Sequence, residues 1–162
     1  MKIDEKTKWS EVENTYDYWT NETKEYVLQR VCEMHGLTDF YEMKIGTFLN
    51  IANGNVEELN IKEDGTAFEM IFVIELKNFV QRVIEILNEF TLPQTFDEKS
   101  ASKKCADLTF VESILIFVRS YFNLSSFEQA ENLRICDLLI AKKDAYNNAV
   151  FQKEMIKIQT RK

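Results

Sequence analysis

Four glycines and a single proline in 162 residues narrow what this chain can fold into more than any other feature. A β-rich chain must reverse direction many times, and Gly and Pro supply the backbone geometries of tight turns. So few of them imply long helices joined by few connections. The length suits a single domain with one sizeable core, and 12 Phe are there to fill it. The expectation is an all-α bundle of about five or six helices, with a projecting C-terminal helix.

Local signals divide the chain. Ser10 and Glu13 stand at capping-box spacing, where a hydroxyl and a carboxylate satisfy the free N–H groups at a helix start. They predict a short helix reaching about Trp19. A second helix is predicted from near Asn21, carrying Tyr26, Val27, Val31 and Met34 until Gly36 stops it. Asp39 and Glu42 open a third, which ends at Asn53-Gly54, a pair suited to a helix C-terminus. Gly46 lies inside it, at a cost of about 1 kcal/mol relative to Ala.

The strongest periodicity lies between Thr66 and Phe90. Phe72, Leu76, Phe79, Val83, Ile86 and Phe90 recur every three or four residues, and Val80, Ile84 and Leu87 widen the stripe. That pattern predicts one long helix with a core-facing seam. Asp64-Gly65 between apolar runs is a hairpin cue, so a short hairpin near 59–74 is the competing reading.

Pro93 ends the seam. Residues 91–107 lack periodicity and form the one long connection, and connections of that length are functional or mobile. Thr109 and Glu112 cap the next segment, "FVESILIFVRSYF", whose apolar residues surround it. It is expected to be the most buried helix. Ser126 and Gln129 open a last stretch reaching about Ile158, with a break anticipated at Asn147-Asn148. The division is a helical body over 1–141 and a basic helical tail over 142–162.

Charge is unevenly placed. The net charge is -7, yet residues 1–69 hold 15 acidic against 7 basic side chains. Residues 142–162 carry Lys142, Lys143, Lys153, Lys157, Arg161 and Lys162 against only Asp144 and Glu154. Beside them Ala141, Ala145 and Ala149 repeat every four residues, a small-residue row that lets another helix approach closely. These nine residues are the candidate partner-binding surface. A positive tail and a negative body are complementary, within one chain or head to tail between copies, and contacts of the second kind close into rings or extend into filaments.

Little chemistry competes with docking. One histidine, His35, excludes the zinc and di-iron motifs that need two, and its place before Gly36 suits a helix end. No phosphate-binding glycine loop and no nucleophile signature occurs in the sequence. Cys105 follows Lys103 and Lys104, whose ammonium groups favour a thiolate; an incidental loop cysteine is the simpler reading. Cys32 and Cys136 fall within helical patterns and are expected in the core. Three widely spaced cysteines make no disulfide framework. No catalytic residue, metal or cofactor is expected. The start, "MKIDEKTKWSEVENTY", has no apolar signal region, and no apolar window is long enough to span a bilayer.

Composition adds a resemblance. With 14 Ile, 12 Asn and 15 Lys against 5 Arg, the short, acidic, helical chain is similar to the small assembly and connector proteins of tailed bacteriophages. The resemblance implies a neck, connector or tail-assembly role, symmetric oligomers and protein partners, in a bacterial cytoplasm or a virion. It assigns no individual residue. The expected function is therefore non-enzymatic protein–protein assembly as a homo-oligomer or larger structure. Two alternatives stand beside it: a small regulator that binds nucleic acid through the basic tail, and a thiol enzyme using Cys105.

Overall fold

The computed structural model describes residues 6–34, 39–55, 65–95 and 105–160. Among them the fold is all-α. Its helices are α1 (Trp9–Val12), α2 (Asn21–Met34), α3 (Ile45–Ala52), α4 (Ala67–Glu89), α5 (Phe110–Tyr121), α6 (Phe127–Glu131) and α7 (Ile135–Thr160). Short 3-10 segments cover Glu13–Tyr18 and Phe40–Glu42. The described residues contain no strand, only two isolated bridges, Lys8 with Thr66 and Lys44 with Arg134. The chain divides into two packing units, residues 1–43 with 47–82 and residues 44–46 with 83–162. His35 and the connection from 96 to 104, including Lys103 and Lys104, lie outside the described residues.

In the first unit α2 starts where expected, with the Thr20 hydroxyl accepting from the Thr23 N–H at 3.2 Å. Val27, Val31 and Cys32 are buried along one side of it. Phe40 packs its ring against Phe72 and Phe79, with centroids 5.6 and 5.3 Å apart. Two expected starts are corrected. The N-cap of α1 is Lys8, without a side-chain cap, because backbone bonding sets this end: the Trp9 N–H donates to the Gly65 carbonyl and the Ala67 N–H to that of Thr7. Asp39 does cap, accepting from the Glu42 N–H at 3.2 Å, but it opens only the 3-10 turn Phe40–Glu42.

The long seam is a helix. Phe72, Leu76, Phe79, Val80, Val83 and Leu87 are buried, and Ile84, Ile86 and Phe90 half-buried. Thr66 and Glu69 cap it reciprocally: the Glu69 carboxylate accepts from the Thr66 N–H at 2.8 Å, and the Glu69 N–H donates to the Thr66 hydroxyl at 3.3 Å. That box commits residues 67–74 to helix, so the hairpin reading fails in its second half; residues 59–64 lie outside the described ones. Gly54, at φ +89°, follows α3 as expected of a glycine after a helix end.

In the second unit the Thr109–Glu112 capping box forms in both directions. The expectation that α5 is the most buried helix is overturned. Ile114 and Val118 are buried, four residues apart, while Phe110, Ile116 and Tyr121 stay exposed. Apolar residues surround the helix, but only one stripe is covered. α5 ends with Asn123 at φ +53°, and the Leu124 N–H reaches back to the Arg119 carbonyl at 2.8 Å, a Schellman closure with Asn at the left-handed position. Ser126 caps α6 through the Gln129 N–H. The break in the last stretch falls at 132–134, and α7 passes through Asn147 and Asn148 without interruption.

Candidate docking surface

The candidate surface is carried by α7, whose start is held from several sides. The Arg134 N–H donates to the Asp137 carboxylate at 3.2 Å, and the Ile45 N–H donates to the Leu133 carbonyl at 2.8 Å. Lys44 reaches the Asn132 side-chain oxygen at 2.8 Å. Gly46 permits this close approach, since a Cβ placed there would lie 3.1 Å from the Cβ of Glu131. Ile135, Leu138 and Ala141 then bury the first two turns.

The alanine row separates by burial. Ala141 is buried, whereas Ala145 and Ala149 are half-buried. These two line a shallow groove of about 230 Å³ together with Tyr146 and Lys142, facing Phe90, Leu92 and Phe117. Tyr146 packs on Phe90 with ring centroids 5.9 Å apart. The groove lies within the second unit.

The cations separate too. Lys142 lays its ammonium over the Phe117 ring, 4.2 Å from the centroid, and burial holds its pKa below the ordinary lysine value. It therefore acts as a packing residue of its unit. Lys157 pairs with Glu154 at 2.5 Å on the same helix. Lys143 is exposed and Lys153 half-buried; Arg161 and Lys162 lie outside the described residues. Asp144, within the basic run, accepts from the Tyr121 hydroxyl at 2.6 Å and from the Asn148 amide at 3.1 Å.

Beyond Val150 the described part of the helix is exposed. From Phe151 to Thr160 every residue except half-buried Lys153 is exposed, including Phe151 at 61%, Ile156 at 58% and Ile158 at 57%. Phe151, Met155 and Ile158, spaced four and three apart, share one face. The sequence reading concentrated on charges and alanines, took Phe151 as a packing residue between the cations, and gave Met155, Ile156 and Ile158 no role. The signal was present, since apolar residues fall on more than one side of a segment that has no room to bury them all.

A second feature lies in the first unit. Leu28, Cys32, Phe40, Tyr41 and Phe79 line a cleft of about 440 Å³, with Glu25, Gln29, Asp39 and Arg82 also on its wall. Burial, then the nearby Asp39 charge, pushes the Cys32 thiol up from its ordinary value, so this cysteine is less nucleophilic than a free one. Sequence reasoning placed Cys32 in the core and did not anticipate the cleft, because its walls come from α2, the 3-10 turn and α4 with no shared motif. Cys136 is half-buried and Cys105 exposed. Among the described residues no group of three His, Cys, Asp or Glu is placed to hold a metal, and no helix is long and apolar enough to cross a membrane.

Comparison with known proteins gives no matching family model, no matching curated protein and no matching solved structure.

Proposed function

We propose that this protein works by assembling with further copies of itself, using the distal half of α7 as its docking element, in a structural role of the connector or tail-assembly kind. The observation that carries the reading is the exposure of Phe151, Met155, Ile156 and Ile158 on the last turns of a 26-residue helix. Single apolar residues on a surface are ordinary. Several on consecutive turns of a helix that no described residue covers mark an interaction site. The uneven charge supports the same reading, since opposed fields speed encounter and fix orientation.

The nucleic-acid reading draws less support. Lys142 is committed to Phe117 and Lys157 is paired with Glu154, which reduces the cation set available to phosphates. The apolar tip has no role in phosphate binding.

Light scattering of the full-length protein, beside a version ending at Asn148, tests the proposal. The expected result is a concentration-dependent oligomer that dissociates on truncation while helicity elsewhere is retained. A monomer across the concentration range, or an oligomer indifferent to truncation, overturns it.

A further inference from the structure

We infer that the acceptor for the α7 tip is the cleft of the first unit in a second copy, so that the chains associate head to tail. The inference rests on the self-assembly reading and specifies its partner surface. Two complementary features stand on this one chain. The donor offers three large side chains on one face, Phe151, Met155 and Ile158, in a segment where residues 143–162 hold five cations against two acids. The acceptor is lined by the apolar side chains Leu28, Phe40, Tyr41 and Phe79 together with the acids Glu25 and Asp39.

Size and charge both fit. A cleft of about 440 Å³ falls within the roughly 300–1,000 Å³ of formed binding sites. An amphipathic helix enters such a groove through anchors spaced three or four apart, which is the spacing of the α7 tip. The first unit, residues 1–43 and 47–82, carries 16 acidic against 8 basic side chains, whereas the second carries 11 against 12. A second copy thus meets the acceptor with its less acidic, tail-bearing unit. Arg82 is the cation on the cleft wall, and it opposes the incoming lysines; the acids Glu25 and Asp39 outnumber it.

Such a contact is heterologous. Each chain uses two different surfaces, so one interface leaves a free donor and a free acceptor, and growth continues until a ring closes.

Complementation tests it. A donor-dead copy carries Phe151→Asp and Ile158→Asp. An acceptor-dead copy carries Glu25→Lys and Gln29→Arg, both at exposed positions of α2, with Tyr41→Asp as a second, independent acceptor variant. Circular dichroism confirms folding of each. Each variant alone should be monomeric, its self-association weakened about thirtyfold or more, as for loss of an interface anchor. Mixed, donor-dead and acceptor-dead copies should form a one-to-one heterodimer and nothing larger, since one intact interface remains. If both acceptor variants assemble like the unaltered protein while the donor-dead copy does not, the cleft is overturned and the self-assembly reading stands. If the unaltered protein is monomeric throughout, both fall. A mixture that stays monomeric when each variant alone is monomeric indicates an isologous interface and overturns the head-to-tail arrangement.

Discussion

The Tyr16 hydroxyl donates a 2.8 Å hydrogen bond to Oε1 of Glu75, joining positions 59 residues apart in the chain. Around it Trp9 and Trp19 pack edge-on to the Tyr16 ring at 5.7 and 5.5 Å, and the Lys24 ammonium lies 4.6 Å from the ring centroid. Partial burial, the bond to Glu75 and the Glu75 charge, in that order, hold the phenol well above its ordinary pKa of 10.0. The folded state therefore favours the protonated form. The associated stability is fully present below pH 10.0, the unfolded value, and is lost as pH rises beyond it. Tyr16→Phe should cost about 1 kcal/mol at pH 8, and its deficit relative to the unaltered protein should shrink near pH 11. Denaturant unfolding at the two pH values checks this; equal deficits would remove Tyr16 as the titrating group.

At the start of α3 the expected behaviour runs against helix propensity. Ala in place of Gly46 should gain about 1 kcal/mol in a free helix. Its Cβ would meet that of Glu131 at 3.1 Å, in a place fixed by the Ile45 to Leu133 backbone bond. Gly46→Ala is therefore expected to destabilise by about 1 kcal/mol net, as overpacking does. In a double-mutant cycle with Glu131→Gly the two changes should couple favourably. Strict additivity would show that the close approach does not matter.

Lys142 separates packing from charge. Burial disfavours its ammonium, while its stem and the Phe117 ring remain in contact. Lys142→Met should leave stability unchanged or raise it, whereas Lys142→Ala should lose about 1 kcal/mol of packing. Neither should alter the oligomer, unlike the paired change Lys153→Glu with Lys157→Glu, which should weaken assembly. Dissociation caused by Lys142→Met would place this lysine at the interface instead.

Acid should weaken the α5 cap. Hydrogen bonds from the Thr109 backbone and hydroxyl hold Glu112 below its ordinary carboxylate value of 4.5. Its contribution is present above that value and fades as pH falls through the lowered one. Thermal melts between pH 6 and 3 should show a shallower decline for Glu112→Gln than for the unaltered chain. Parallel curves would mean that other carboxylates dominate the acid response.

What the sequence discloses depends on whether the deciding contact is local. The seam from Phe72 to Phe90 and the Thr109–Glu112 box are decided within a few residues, and both were legible. The hairpin reading and the burial of α5 failed for the same reason. Asp64-Gly65 is a local turn signal, but the reciprocal Thr66–Glu69 cap commits the residues after it to helix. The apolar run of α5 says nothing about which side a neighbour will cover. The surface features behave alike: the basic tail is visible as letters, but the commitment of Lys142 to Phe117 depends on a partner 25 positions away. The cleft beside Cys32 is invisible because three separate elements build it.

The unbroken course of α7 through Asn147 and Asn148 makes this helix a ruler. At about 1.5 Å per residue its 26 residues reach about 39 Å, and each residue added or removed turns everything beyond it by about 100°. The direction faced by Phe151, Met155 and Ile158 is thereby a matter of phase, set by how many residues separate them from buried Leu138. A single insertion in the middle would keep every side chain and every charge yet point the tip elsewhere. One of seven residues, close to two whole turns, would lengthen the reach and restore the aim. Drift in the length of this segment should then be tolerated only in such steps, a constraint on counting rather than on residue identity.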